Sequence, residues 1–279
     1  MVSNRYLNLR KPGVRLGAIA LGLAAVVLPA CENPNEISEG KDNVTTEDIV
    51  GGTEAEDGEG GEGSLPIGEL VTVRSPIGTT LADQGVVLAS DAGDVLVLNT
   101  TGVPFSVPEE EETPVQVTGE LVQFVITDVE DEFGVDLDDD LFGEYEQQPA
   151  IIAESFAPAP TPEDLAVDGE RYYNQPIATE GVVGGILSSN SFVLYEEGWI
   201  DDYGLLVIGV PQDLEAAESD VNDGEMVTVT GTAQPFDLNS LQEDYDLGWD
   251  ENEINEFETR YVDRPVIIAD EVYPSALDN

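Results

Sequence analysis

The chain contains no histidine, one cysteine, and nine lysines and arginines set against 59 aspartates and glutamates in 279 residues. Without histidine, Ser-His-Asp and Cys-His catalysis are excluded within this chain, and so are zinc or iron sites built on imidazole. A lone cysteine excludes an intrachain disulfide, so a hydrophobic core has to stabilise the fold. Four of the nine cations, Arg5, Arg10, Lys11 and Arg15, precede Leu16, which leaves five cations facing all 59 acids. Beyond that point the only lysine is Lys41, in a stretch with little to bury, which argues against a Ser-Lys dyad or a Schiff base. Nucleic acid is not expected as a partner, because such a surface repels a phosphate backbone.

What is present begins with the run from Leu16 to Leu28, which carries no charge and follows the four cations. It is shorter than the ~20 residues a helix needs to cross a ~30 Å hydrocarbon core, so a secretory signal over residues 1–30 is expected rather than a permanent span. The run closes on Leu28-Pro29-Ala30-Cys31, and Cys31 is the only cysteine. This segment resembles the lipobox of bacterial lipoproteins. The resemblance implies cleavage before Cys31, acylation of its thiol, and a mature protein held to a cell or outer membrane by lipid, facing periplasm or exterior.

Residues 31–64 are rich in Glu, Asp, Gly, Asn and Thr and are expected to form a disordered acidic tether. Gly58, Gly60 and Gly63 match the dinucleotide fingerprint GxGxxG, but no strand or helix flanks them and the intervening glutamates oppose a pyrophosphate, so the match is set aside. From Leu65 the texture changes to short apolar runs of strand length: Leu70 to Val73, Gly85 to Leu88, Val95 to Leu98, Val115 to Phe124 and Ala150 to Phe156. Between the last two, Val129 with Phe133 and Leu141 with Tyr145 predict a broken amphipathic helix interrupted near Gly134.

The second half repeats this order. Val115-Gln-Val-Thr-Gly119 returns as Val227-Thr-Val-Thr-Gly231, Phe124 as Phe236, Tyr145 as Tyr261, Pro149 as Pro265, and Ile151-Ile152-Ala153 as Ile267-Ile268-Ala269. The predicted architecture is mainly β: two tandem small antiparallel barrels over 65–160 and 161–279, each with a helical insert between its last two strands. It resembles an OB-like module of uncharacterised exported bacterial proteins. A β-sandwich or another small barrel stays open, because the usual OB helix lies between strands three and four.

Three candidate chemistries follow. Asp136, Asp138 and Asp140 alternate in the first insert, as oxygen ligands for calcium would. An EF-hand is excluded, since Leu141 stands where glycine and Gln147 where glutamate is required. Trp199 and Tyr203 are the candidate ligand-binding pair, placed to stack on a glycan or grip an envelope protein. Paired carboxylates of a hydrolase are the third, with no pair singled out. The expectation is a lipid-anchored, non-catalytic binding or structural module with no required cofactor; calcium binding and carboxylate hydrolysis are the alternatives.

Overall fold

A computed structural model describes residues 43–51, 65–89, 93–108, 113–196, 204–211, 214, 221–245 and 247–275. Chain order opens with β1 (Asn43–Val44) and α1 (Thr46–Gly51), inside the stretch expected to be a disordered acidic tether. They correct that expectation. The Asp48 N–H donates to the Thr45 hydroxyl at 3.2 Å, and the Thr45 N–H donates to the Asp48 carboxylate at 2.9 Å. This reciprocal cap starts the helix and turns Ile49 inward, where it is 1% exposed in the core of the first barrel. The other residues of 1–64 lie outside the described residues.

The first barrel continues with β2 (Leu70–Ser75), β3 (Ile77–Leu81), β4 (Gly85–Leu88), β5 (Val95–Leu98), β6 (Val115–Gln123), α2 (Ile126–Phe133), α3 (Asp139–Phe142) and β7 (Pro149–Pro158). Its sheet runs β1-β2-β6-β7-β5-β4-β3. The pairs are antiparallel except β1 with β2 and β5 with β7. β2 and β3 flank Pro76, which has no N–H to give a ladder, so this copy is a seven-stranded sheet and not the closed ladder expected, although the chain itself joins its two sides at that proline.

The second barrel follows α4 (Pro162–Asp168) and consists of β8 (Pro176–Ser188), β9 (Ser191–Tyr195), β10 (Leu205–Ile208), β11 (Met226–Pro235), α5 (Leu238–Asp244), α6 (Glu251–Tyr261) and β12 (Pro265–Pro274). It closes in the order β10-β12-β11-β8-β9. Here β8 does alone what β2 and β3 do together: its first half pairs with β11 and its second with β9, across a register shift between Val183 and Gly185. Each copy thus has the cyclic order 1-2-3-5-4 with a parallel 3–5 pair, which is OB-like connectivity, and each insert falls between strands four and five as predicted. α4 also repeats α1, since Thr161 and Asp164 form the same reciprocal cap and bury Leu165.

The copies share a defect as well as strands. Both fourth strands shift register at their glycine, between Thr118 and Gly119 and between Thr230 and Gly231. A Cβ there would come within 2.1 Å of the Ile152 or Ile268 carbonyl oxygen. The extra residue opposite each glycine is Glu154 in one copy and Asp270 in the other.

Each barrel has two cores. Val86, Leu88, Val95 and Val97 point into the first barrel, while Val87, Leu96 and Leu98 pack outside it beneath Phe124, Val129, Phe142 and Tyr145. In the second, Leu205 and Val207 point inward while Leu206 and Ile208 meet Trp249, Phe257 and Tyr261. Strands covered on both faces explain why these segments read as unbroken apolar runs. The insert stripe differs from the predicted one: Phe133 and Leu141 are exposed, and Ile126, Val129, Leu137, Phe142 and Tyr145 are buried. Gly134 ends α2 in the left-handed conformation at φ 69°, and the chain re-enters the core three residues later.

Equivalent faces of the two barrels meet. Arg74 on β2 donates through Nη2 to the Ala159 carbonyl at 2.7 Å, and its Nη1 lies 3.7 Å from the carboxylate of Glu180 on β8. With Gly119 superposed on Gly231 through the ladders, Arg74 and Glu180 hold the same position in the repeat. Gln116 donates to the Tyr273 hydroxyl at 2.7 Å across the same junction. Among the described residues no helix is long and apolar enough to cross a membrane.

Candidate functional site

An OB barrel offers the outer face of its second and third strands to oligonucleotides and oligosaccharides. Here the third strand's outer face is roofed in each copy by the chain's own insert.

The first insert holds the three aspartates proposed for calcium. Asp138 is the N-cap of α3, its carboxylate accepting the Asp140 N–H at 2.9 Å. Asp136 contributes its backbone carbonyl to Gln84 Nε2 at 2.6 Å. The neighbouring Leu137 N–H is taken by Glu130 at 2.9 Å. Among the described residues no group of three or more acidic, cysteine or histidine side chains is placed to hold a metal ion. The second insert shows what Asp138 does there, because its counterpart Asp250 caps α6 by accepting the Asn252 and Glu253 N–H groups. The shared acid is a helix cap. Of the remaining sequence candidates, Cys31, Trp199 and Tyr203 lie outside the described residues.

The bulges carry a second acidic feature. Burial first, and then the charge of Glu120, raise the Glu154 carboxyl above its ordinary value; burial and the charge of Glu132 do the same to Glu120. Glu154 Oε1 is buried without a hydrogen-bond partner among the described residues. Burial alone raises Asp270, the counterpart of Glu154. A carboxyl raised by burial keeps its proton to higher pH than an ordinary one, which is the property a general acid needs.

A cleft of about 480 Å³ opens where α5 turns into α6, lined by Glu243, Asp244, Tyr245, Leu247, Trp249 and Ile254 among others. The cap at Asp250 sets the direction of α6, which brings Phe257 against Trp249 edge to face at 4.6 Å. Trp249 is 8% exposed and donates its indole N–H to Ser191 Oγ at 3.1 Å. Ser191 in turn bonds Ser188 at 2.7 Å, so the ring is anchored to the start of β9. Tyr245 stacks close to Gly209, where a Cβ would sit 3.0 Å from the ring. Burial first, then the charges of Asp244 and Asp270, push its phenol above the ordinary value. Glu243 and Asp244 are exposed.

Sequence reasoning did not single out Tyr245 or Trp249. The repeat contained the signal: Leu247 and Trp249 continue the apolar skeleton of Val135 and Leu137, and tryptophan in place of leucine marks where the second insert departs from the first.

No known protein family matches the chain, and no curated protein does. Among solved structures, a hypothetical protein, ygiW, from E. coli is 15% identical, with a TM-score of 0.24 over 43% of this chain and 99% of that one. A cold-shock-domain segment of Drosophila Unr is 11% identical, with a TM-score of 0.18 over 75% of this chain and 64% of that one. Aspartyl tRNA synthetase from Entamoeba histolytica is 8% identical, with a TM-score of 0.21 over 70% and 53%.

Proposed function

We propose that this is an exported lipoprotein, anchored through Cys31, whose tandem OB-like barrels form a non-catalytic binding module with the α5–α6 cleft as its binding surface. One observation carries the reading. The inserts roof part of the customary OB ligand face, while the second insert opens an aromatic-floored, acid-rimmed cleft of about 480 Å³. That volume lies within the range of ordinary ligand sites.

The anchor is tested by Cys31→Ser, which is expected to release the protein from membranes and remove the mass of the acyl chains. A Cys31→Ser protein that stays membrane-bound at unchanged mass contradicts it. Binding is tested by Tyr245→Leu, which removes the half-buried phenol from the cleft; ligand affinity should fall, and a thermal midpoint close to that of the parent separates this from loss of the fold.

A second reading has its own observation. Glu120 and Glu154, on neighbouring strands and both raised first by burial, are the two carboxyls that would serve a carboxylate hydrolase. Release of reducing sugar from a neutral oligosaccharide, abolished by Glu154→Gln and untouched by Tyr245→Leu, would move the function to that pair.

A further inference from the structure

We infer that the α5–α6 cleft takes a lysine or arginine side chain presented by a basic segment of a partner protein. This rests on the cleft being the binding surface and adds the chemistry of its occupant.

Three features of the cleft select that chemistry. Glu243 and Asp244 stand exposed at its rim, and no lysine or arginine is among its described lining residues. Tyr245 and Ile254, both half-buried, supply a smaller apolar wall beside the polar rim. A long cationic side chain matches both, since its aliphatic stem lies along apolar surface while its head reaches a carboxylate or the face of an aromatic ring. The nearby Arg260 does not compete for the rim, because it pairs with Glu256 at 2.6 Å on the same helix.

The alternatives fit less well. A sugar needs a bare aromatic face and free polar donors around it. Trp249 is 8% exposed, has Phe257 against its ring, and already spends its N–H on Ser191. Anionic ligands meet a chain of formal charge −50. The same charge speeds the approach of a basic segment, since a field of one sign steers opposite charge toward the surface.

The first insert acts as an internal control. There Phe133, Val135 and Leu137 replace Tyr245, Leu247 and Trp249. Leu137 fills the core position, and Phe133 is exposed. The side chains that line the cleft are therefore particular to the second copy.

The test uses the full-length chain carrying Trp199→Phe, which leaves Trp249 as the single tryptophan. Its emission is followed on titration with hexa-arginine, hexa-lysine, a neutral Gly-Ser hexapeptide and a neutral N-acetylglucosamine oligomer, at constant ionic strength. The expected result is a saturable change with the cationic peptides only. Glu243→Gln with Asp244→Asn should weaken it by roughly tenfold. Tyr245→Leu should weaken it also, and Tyr245→Phe should retain it. Both rim residues are exposed, so their amide replacements leave the fold intact.

Cationic binding that persists unchanged in the rim variant overturns the inference, because the acidic surface at large is then the binder. A response to the sugar alone overturns it and leaves the binding-module reading in place. Silence with every probe overturns the inference alone when the sugar is recovered whole. Silence with sugar cleavage overturns the binding-module reading too.

Discussion

Single residues set the limits of this fold. Gly119 and Gly231 are the clearest case, since each lies under a carbonyl oxygen that a Cβ would approach within 2.1 Å. Gly231→Ala should cost about 3 kcal/mol or more, the upper end of single substitutions, read as a drop in the urea midpoint. Tyr273 makes a second residue-scale prediction. Burial pushes its phenol up to about 12, opposed in part by the hydrogen bond from Gln116 and by Arg74. An unfolded tyrosine titrates near 10. The folded state therefore keeps a proton that the unfolded chain gives up first. The corresponding stability is fully present below about pH 10 and is lost as pH rises through about 12. Tyr273→Phe should flatten that alkaline loss in unfolding free energy, and an unchanged slope would contradict the assignment.

At the scale of elements, the inserts matter most. Asp250 accepts two backbone N–H groups and sets the line of α6, which carries Phe257 to Trp249. Asp250→Ala should cost about 1 kcal/mol in chemical denaturation. Asp138→Ala, which removes a single N–H contact on a four-residue helix, should cost less. Calcium should restore neither, because both act as caps. Strand runs, the insert position and the break at Gly134 were legible because apolar period and turn residues are local signals. The buried face of the first insert was not: the spacing of Phe133 and Leu141 suits an amphipathic helix, but where the break lets the chain re-enter the core depends on contact with β5. Likewise α1 was legible only through its Thr45–Asp48 cap, repeated as Thr161–Asp164, and its acidic setting masked it.

For the whole molecule, the junction between barrels rests on a cation in an overwhelmingly acidic chain. Arg74 is largely buried, and desolvation lowers its pKa against the opposing pull of Glu180, Tyr273 and Glu196. Glu180→Gln removes the nearest of those counter-charges and should destabilise by about 2 kcal/mol in urea, since a buried charge is then left with its carbonyl partners and the weaker pull of Glu196. The bulge acids predict the response to pH. Glu120, Glu154 and Asp270 are raised by burial, so their contribution is present at low pH and is lost as pH rises through their folded values. Together with the self-repulsion of a chain at −50, this predicts a thermal midpoint that climbs on mild acidification from neutrality. The climb should shrink at high salt, which screens the repulsion between exposed charges but not the local burial of three carboxyls.

By itself the sequence determined the catalytic exclusions, the acidic surface, the twofold repeat and the place of each insert, because composition and periodicity are properties of the chain alone. Only the tertiary structure decided that the inserts roof the third strands, that Asp138 and Asp250 are caps, that Arg74 faces its own repeat counterpart Glu180, and that Tyr245 and Trp249 share a cleft. Each of these depends on which faces meet, and residues far apart in the chain become neighbours only when two cores close around the same strands.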